Sequence, residues 1–161
     1  MTTLIQLIRR LYELFANCAD YLQSPLLLAL RLYFFIQLFM AGKGKLMNIP
    51  QTVEFFTSLQ IPFPTLNVYL AGMTECFGGL LLVVGLCSRL TAIPVIITML
   101  VAYITAEPEA IKGIFSNSDK FVAAAPFPFL LCALIILAFG PGLFSIDAFI
   151  KRKYGIRENS R

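Results

Sequence analysis

The sequence predicts an all-α fold: a four-transmembrane-helix bundle with an N-terminal amphipathic surface helix and further short surface helices. Three observations lead there. Hydrophobic residues make up 58% of the 161-residue chain and charged ones only 14%, with a mean hydropathy of +0.80. That is more apolar surface than a soluble domain of this size can bury. The apolar residues fall into four runs divided by polar, proline- and glycine-containing breaks, and a helix needs roughly 20 mostly apolar residues to cross the hydrocarbon core. Finally, residues 66–90, LNVYLAGMTECFGGLLLVVGLCSRL, carry Glu75 in mid-run. A charge at such depth costs about 3 kcal/mol on insertion scales and normally faces protein or a cavity rather than lipid.

Each element follows from its residues. Residues 1–24 read as an amphipathic interfacial segment. Leu4, Leu7, Ile8, Leu11, Leu14 and Phe15 recur at helical spacing, with Gln6, Arg9, Arg10 and Glu13 on the other side. The segment is too charged to span, so a helix lying on the membrane surface is expected, with docking of a partner as the alternative. No signal peptide is expected, because charges are scattered through the first 20 residues with no small-residue cleavage site. The first span is expected to begin near Pro25, a good first-turn residue, and to reach about Leu46, with Pro50 closing the segment. Residues 51–60, QTVEFFTSLQ, predict a short amphipathic helix through Val53, Phe56 and Leu59, broken by IPFP at 61–64. The second span ends at Ser88-Arg89 and the third follows at once as an antiparallel hairpin. It covers about residues 90–106, with Pro94 in its first turn. Residues 107–122, EPEAIKGIFSNSDKFV, form the most polar loop. The fourth span is expected over 123–139, with Pro126 and Pro128 in its first turns, where missing donors cost least. Gly140-Pro141-Gly142 ends it. Ser145 is then placed to cap a short surface helix that has Asp147 in its first turn. A basic tail, 151–161, follows the membrane domain of residues 25–150. No soluble domain or internal repeat stands out.

Four spans put both termini on one side. That side holds Arg9, Arg10, Arg89, Lys151, Arg152, Lys153, Arg157 and Arg161, against Lys43, Lys45, Lys112 and Lys120 opposite. The excess places both termini in the cytoplasm. Basic residues cluster at the ends of apolar runs, where the topology rule places them, so the net charge of +4 does not make nucleic acid an expected partner. Histidine is absent, which removes the usual haem ligand, the commonest zinc ligand and the standard proton shuttle; no metal is expected. Cys18, Cys76, Cys87 and Cys132 form no CxxC pair and read as buried structural thiols.

Small residues show where helices meet. Gly72, Glu75 and Gly79 lie three and four apart and share a face, with Gly78 and Gly85 on a neighbouring stripe. Such faces allow close helix approach, so Glu75 is expected in a seam. In the first span Arg31, Leu38, Gly42 and Lys45 fall within about 40° of one direction. At about 1.5 Å per residue, Glu75 lies some 10 Å along the membrane normal from both Arg31 and Lys45. Arg31 is the expected partner and Lys45 the second choice. Either a buried ion pair that sets helix register or a polar site for a small molecule or proton would account for the group.

These residues resemble a known pattern. Arg31 followed by Ala41-Gly42 and Lys45-Leu46, then Glu75, Gly78-Gly79, Gly85 and Arg89, then GPGLFSID with Ser145 and Asp147, resemble the motifs of the DoxX family of small four-helix bacterial membrane proteins, over roughly residues 25–150. The match departs at Leu143, where a basic residue is frequent, and in the longer segment before Pro25. The resemblance adds Arg89 and Asp147 to the candidate polar site. It implies a bacterial inner-membrane protein linked to oxidoreductase function, a subunit of or accessory to a quinone-linked redox system. No covalently bound cofactor is implied; a quinone is. Expected partners are the lipid bilayer, a soluble redox protein or membrane subunit, and further copies of the chain. Two other functions fit the same sequence: a non-catalytic anchor or assembly partner for a soluble protein, and an oligomeric small-solute transporter.

Overall fold

The computed structural model describes residues 2–155, with side chains placed for most of them. The tail residues 156–161 lie outside the described residues, as do the side chains of Leu4, Leu7 and Ile8 on the predicted amphipathic face. The described residues are almost wholly helical. Helix α1 spans Thr2–Met47, α2 Ile49–Ser58, α3 Pro64–Val84 and α4 Ser88–Ala106. Two short helices, α5 (Pro108–Lys112) and α6 (Ser118–Ala123), lead to α7, Phe127–Phe139. The last is α8, Ile146–Tyr154.

Three segments are long and apolar enough to cross a membrane: Tyr21–Met47, Pro64–Val84 and Ser88–Ala106. Helix α7 is the shorter apolar fourth, about 20 Å long at 13 residues. Its start at Phe127 is later than expected. Ala124 is extended, and α6 ends one residue before it. The core lies where the four segments meet. Phe35, Leu38, Leu82, Val95, Tyr103 and Ile136 are almost completely buried. Outside it, Phe77, Leu80, Leu90, Ile97, Ile104 and Leu134 are exposed, an apolar outer surface suited to lipid contact.

Two expectations about α1 and α4 need correction. Pro25 does not start a helix: α1 runs through it without a break. A proline inside a helix removes one ladder bond, and the long apolar segment around it, Tyr21–Met47, carries the helix on. At 46 residues, α1 is about 69 Å long, roughly twice the hydrocarbon thickness. Leu11, Tyr12, Leu14 and Phe15 are exposed on its N-terminal half. Likewise Pro94 lies in the interior of α4 rather than its first turn, because that helix begins earlier, at Ser88. The N-cap expected at Ser145 is present, with its Oγ accepting from Ala148 N–H at 3.1 Å.

The cysteines also differ from expectation. Only Cys132 is buried; Cys76 is partly exposed, and Cys18 and Cys87 are exposed. Cys87 lies in the tight α3–α4 turn and Cys18 on the projecting half of α1, so neither reaches the core.

Candidate functional site: an ion pair beside an apolar cavity

Helix α3 is interrupted at its centre by a π turn over Thr74–Gly78. Such turns widen a helix by one residue and recur at functional positions. This one carries Glu75, which is 4% exposed. The glycine stripe explains how α1 comes so close. A methyl group on Gly42 would lie 2.8 Å from both the Gly72 carbonyl oxygen and Glu75 Cβ, and nearer still to Cys76 N. On Gly79 it would meet the α1 backbone at Phe39 N, 2.9 Å, and Phe35 O, 3.0 Å. Gly72 faces Leu46, and Gly78 faces Val95 on α4. Gly85, read as a packing residue within the helix, instead ends it. It sits past Val84 with φ of +73°, which favours glycine, and a Cβ there would meet Arg31 Nη2 at 2.5 Å.

Glu75 pairs with Lys45, whose ammonium donates to Oε2, and not with Arg31. The helix geometry gives the reason. Side chains lean toward the N-terminus of their own helix. Lys45, near the C-terminal end of α1, therefore leans back toward mid-bundle. Glu75, on the antiparallel α3, leans to meet it. Arg31, on the same helix, leans the same way as Lys45, and from its position that carries it away from Glu75 and toward the end of the bundle that holds α8. There Nε donates to Leu82 O at 2.8 Å and Nη2 to Val83 O at 2.7 Å. Nη1 donates to Pro141 O at 2.7 Å and Phe144 O at 3.0 Å. The first two acceptors are final-turn carbonyls of α3 that the helix itself leaves without partners.

Asp147 belongs to this second centre. Its Oδ1 accepts from Cys87 N–H at 2.7 Å and its Oδ2 from Ser88 N–H at 2.8 Å, capping α4 from another helix. Its own N–H donates to Gly85 O at 2.9 Å. Ser24 Oγ accepts from Leu143 N–H at 3.3 Å, joining α1 to the same loop. Arg89 lies at this end too, its Nη2 directed at Ala138 O, 3.4 Å away. The five candidate polar residues thus form two groups: Lys45 with Glu75 in mid-bundle, and Arg31, Asp147 and Arg89 where α3 gives way to α4.

The first group borders a cavity. It holds about 610 Å³ and is walled by α1 at Leu38, Ala41 and Lys45, by α3 at Ala71 and Glu75, and by α4 and α7. Helix α2 lines one side with Phe55 and Phe56, joined by Leu59 just past its end. The pair is asymmetric: the Lys45 side chain is 29% exposed and that of Glu75 5%. Both side chains line the cavity, that of Lys45 being the more exposed. Sequence reasoning noted Phe56 and Leu59 as an amphipathic stripe without giving them a destination. It did not foresee Asn67, Thr74, Thr98, Thr105 and Glu107, which add polar residues to a mainly apolar lining; for the threonines the signal available was their position inside spans.

Comparison with known proteins agrees with this architecture. A protein from Bacillus subtilis (strain 168) named "Putative oxidoreductase CatD" is 26% identical over 123 residues, covering 76% of this chain and 85% of its own. No solved structure matches the chain. The DoxX family profile matches residues 26–108, a stretch that holds Arg31, the Gly42–Lys45 turn, the π turn with Glu75, and Arg89. By that match over more than half its length, this multi-pass membrane protein belongs to the DoxX family.

Proposed function

We propose that the chain is a bacterial inner-membrane subunit of, or accessory to, a quinone-linked redox system, with both termini cytoplasmic. The carrying observation is the apolar cavity with one ion pair in its wall. Lipid-soluble ligands are held by mostly apolar pockets with a few placed polar groups. A quinone fits this donor set. Its ring and chain suit the Leu38, Ala71 and Phe129 walls, and its carbonyl oxygens suit the ammonium of Lys45, a lining residue. Glu75 holds that ammonium in place and offers a carboxylate oxygen to a hydroxyl on the reduced form. When bound, the quinone would supply the two-electron carrier that the side chains themselves do not provide, and a partner subunit would exchange electrons with it. The DoxX membership and the name of the Bacillus protein support the redox setting.

The test is purification in mild detergent followed by quinone analysis of the lipid extract. The parent should retain quinone, and Lys45→Met should retain roughly tenfold less, the loss of one charged hydrogen bond. An extract without quinone, from a preparation that also shows no quinol-dependent turnover with its neighbours, would overturn the reading.

A further inference from the structure

We infer that α8 and the loop before it form a surface that gathers anionic phospholipid headgroups. Three bonds fix its level. Asp147 N–H reaches Gly85 O, and the Asp147 carboxylate takes the Cys87 and Ser88 N–H groups. Helix α8 is thereby pinned where α3 ends and α4 begins, the depth at which hydrocarbon gives way to headgroups. On α8, Ile146, Phe149 and Ile150 fall within about 100° of one direction. Of these, Ile146 and Phe149 are exposed, and so are Leu143 and Phe144 in the preceding loop. Lys151 and Arg152 lie on the other side of the helix, whereas Lys153, in the last turn, falls on the apolar arc, with its ammonium 5.9 Å from the Tyr154 ring centre. All three cations are exposed and occupy the last turn.

That arrangement selects its occupant. An apolar arc beside a basic one is the pattern of a helix lying in a membrane interface, with its apolar side at the acyl boundary and its cations among headgroups. Positive charge calls for anionic headgroups. The exposed aromatic and leucine side chains at span-end depth call for acyl chains, which an acidic soluble protein would not provide. The inference is independent of any quinone site, which lies elsewhere in the bundle.

The experiment uses the full-length chain in micelles containing equal amounts of phosphatidylglycerol and phosphatidylcholine, with bound lipids counted by native mass spectrometry. A cation near an anionic surface gives about a fivefold bias. The parent should therefore favour phosphatidylglycerol. The variant with Lys151→Gln, Arg152→Gln and Lys153→Gln should lose that preference by roughly tenfold or more. Single Arg152→Gln and Lys153→Gln variants, checked for intact thermal unfolding in phosphatidylcholine, should each lower it about fivefold. Lys112→Gln with Lys120→Gln, in the opposite loop, should leave it unchanged. No preference in the parent would overturn the proposal. So would an undiminished preference in the single and triple variants, an equal loss in the opposite-loop control, or retention of an acidic protein in place of lipid.

Discussion

Replacing Lys45 by Met should destabilise the bundle by about 3 to 5 kcal/mol, the range for stranding one member of a buried ion pair. The structure places the cost on this side of the pair. Without Lys45 the Glu75 carboxylate, 5% exposed, keeps no other charged partner among the described residues. Glu75→Gln should cost less, about 1.5 to 3 kcal/mol, because the Lys45 side chain is 29% exposed and its ammonium can turn into the cavity. The double variant should fall short of the sum by about 0.5 to 3 kcal/mol, the usual coupling for residues in contact. Arg31→Gln combined with Glu75→Gln should instead be additive to within about 0.5 kcal/mol, since Arg31 binds backbone carbonyls at the end of α3. Reversible unfolding in mixed detergent micelles measures all four terms. Coupling below 0.5 kcal/mol between Lys45 and Glu75, or clear coupling between Arg31 and Glu75, would refute the assignment of partners.

Other outcomes follow from the same geometry. Gly79→Leu should destabilise strongly, because even its first carbon would lie 2.9 Å from Phe39 N. Leu82→Phe, in a filled core position, should cost only about 1 to 3 kcal/mol; equal thermal stability of Gly79→Leu and the parent would rule out the close approach. Asp147→Ala removes a cap shared between two helices and should cost about 1 to 2 kcal/mol, read as early loss of amide-exchange protection at Cys87 and Ser88. For topology, Ser116→Cys should react with a membrane-impermeant maleimide from the external face only, and labelling from the cytoplasmic face alone would invert the proposed orientation.

How far the sequence could be read depended on whether a feature was periodic or directional. The spans were legible because apolar runs report burial in lipid directly. The close approach was legible too, since Gly42 on α1 and Gly72 and Gly79 on α3 mark the facing sides, and Gly78 a neighbouring stripe, by spacing alone. Partner choice was not. Arg31 and Lys45 share a face of α1 at similar estimated depth from Glu75. Only the lean of side chains toward the helix N-terminus separates them, and counting residues ignores that lean. Pro25 misled for a related reason: a proline signals a helix start locally, but a long apolar helix absorbs one inside it. Gly85 was placed on a stripe by spacing, although its backbone had already left the helix. The role of Asp147 needed tertiary knowledge, since the amides it caps lie 59 and 60 residues earlier. The cavity was invisible because its walls come from several helices, each unremarkable alone.

The Arg31 clamp has a consequence for how the protein is made. Its acceptors lie 51, 52, 110 and 113 residues downstream. At a synthesis rate of about 5 to 20 residues per second, the arginine is made roughly 6 to 23 s before its last acceptor exists. During that interval the first span sits in the membrane with a cation that has nothing of its own chain to bind. Helix α3 meets two of its needs, and the Pro141–Phe144 loop meets the rest only as the chain nears completion. A chain stopped before that loop carries a half-satisfied guanidinium inside the bilayer, a chemical mark by which an unfinished copy differs from a finished one.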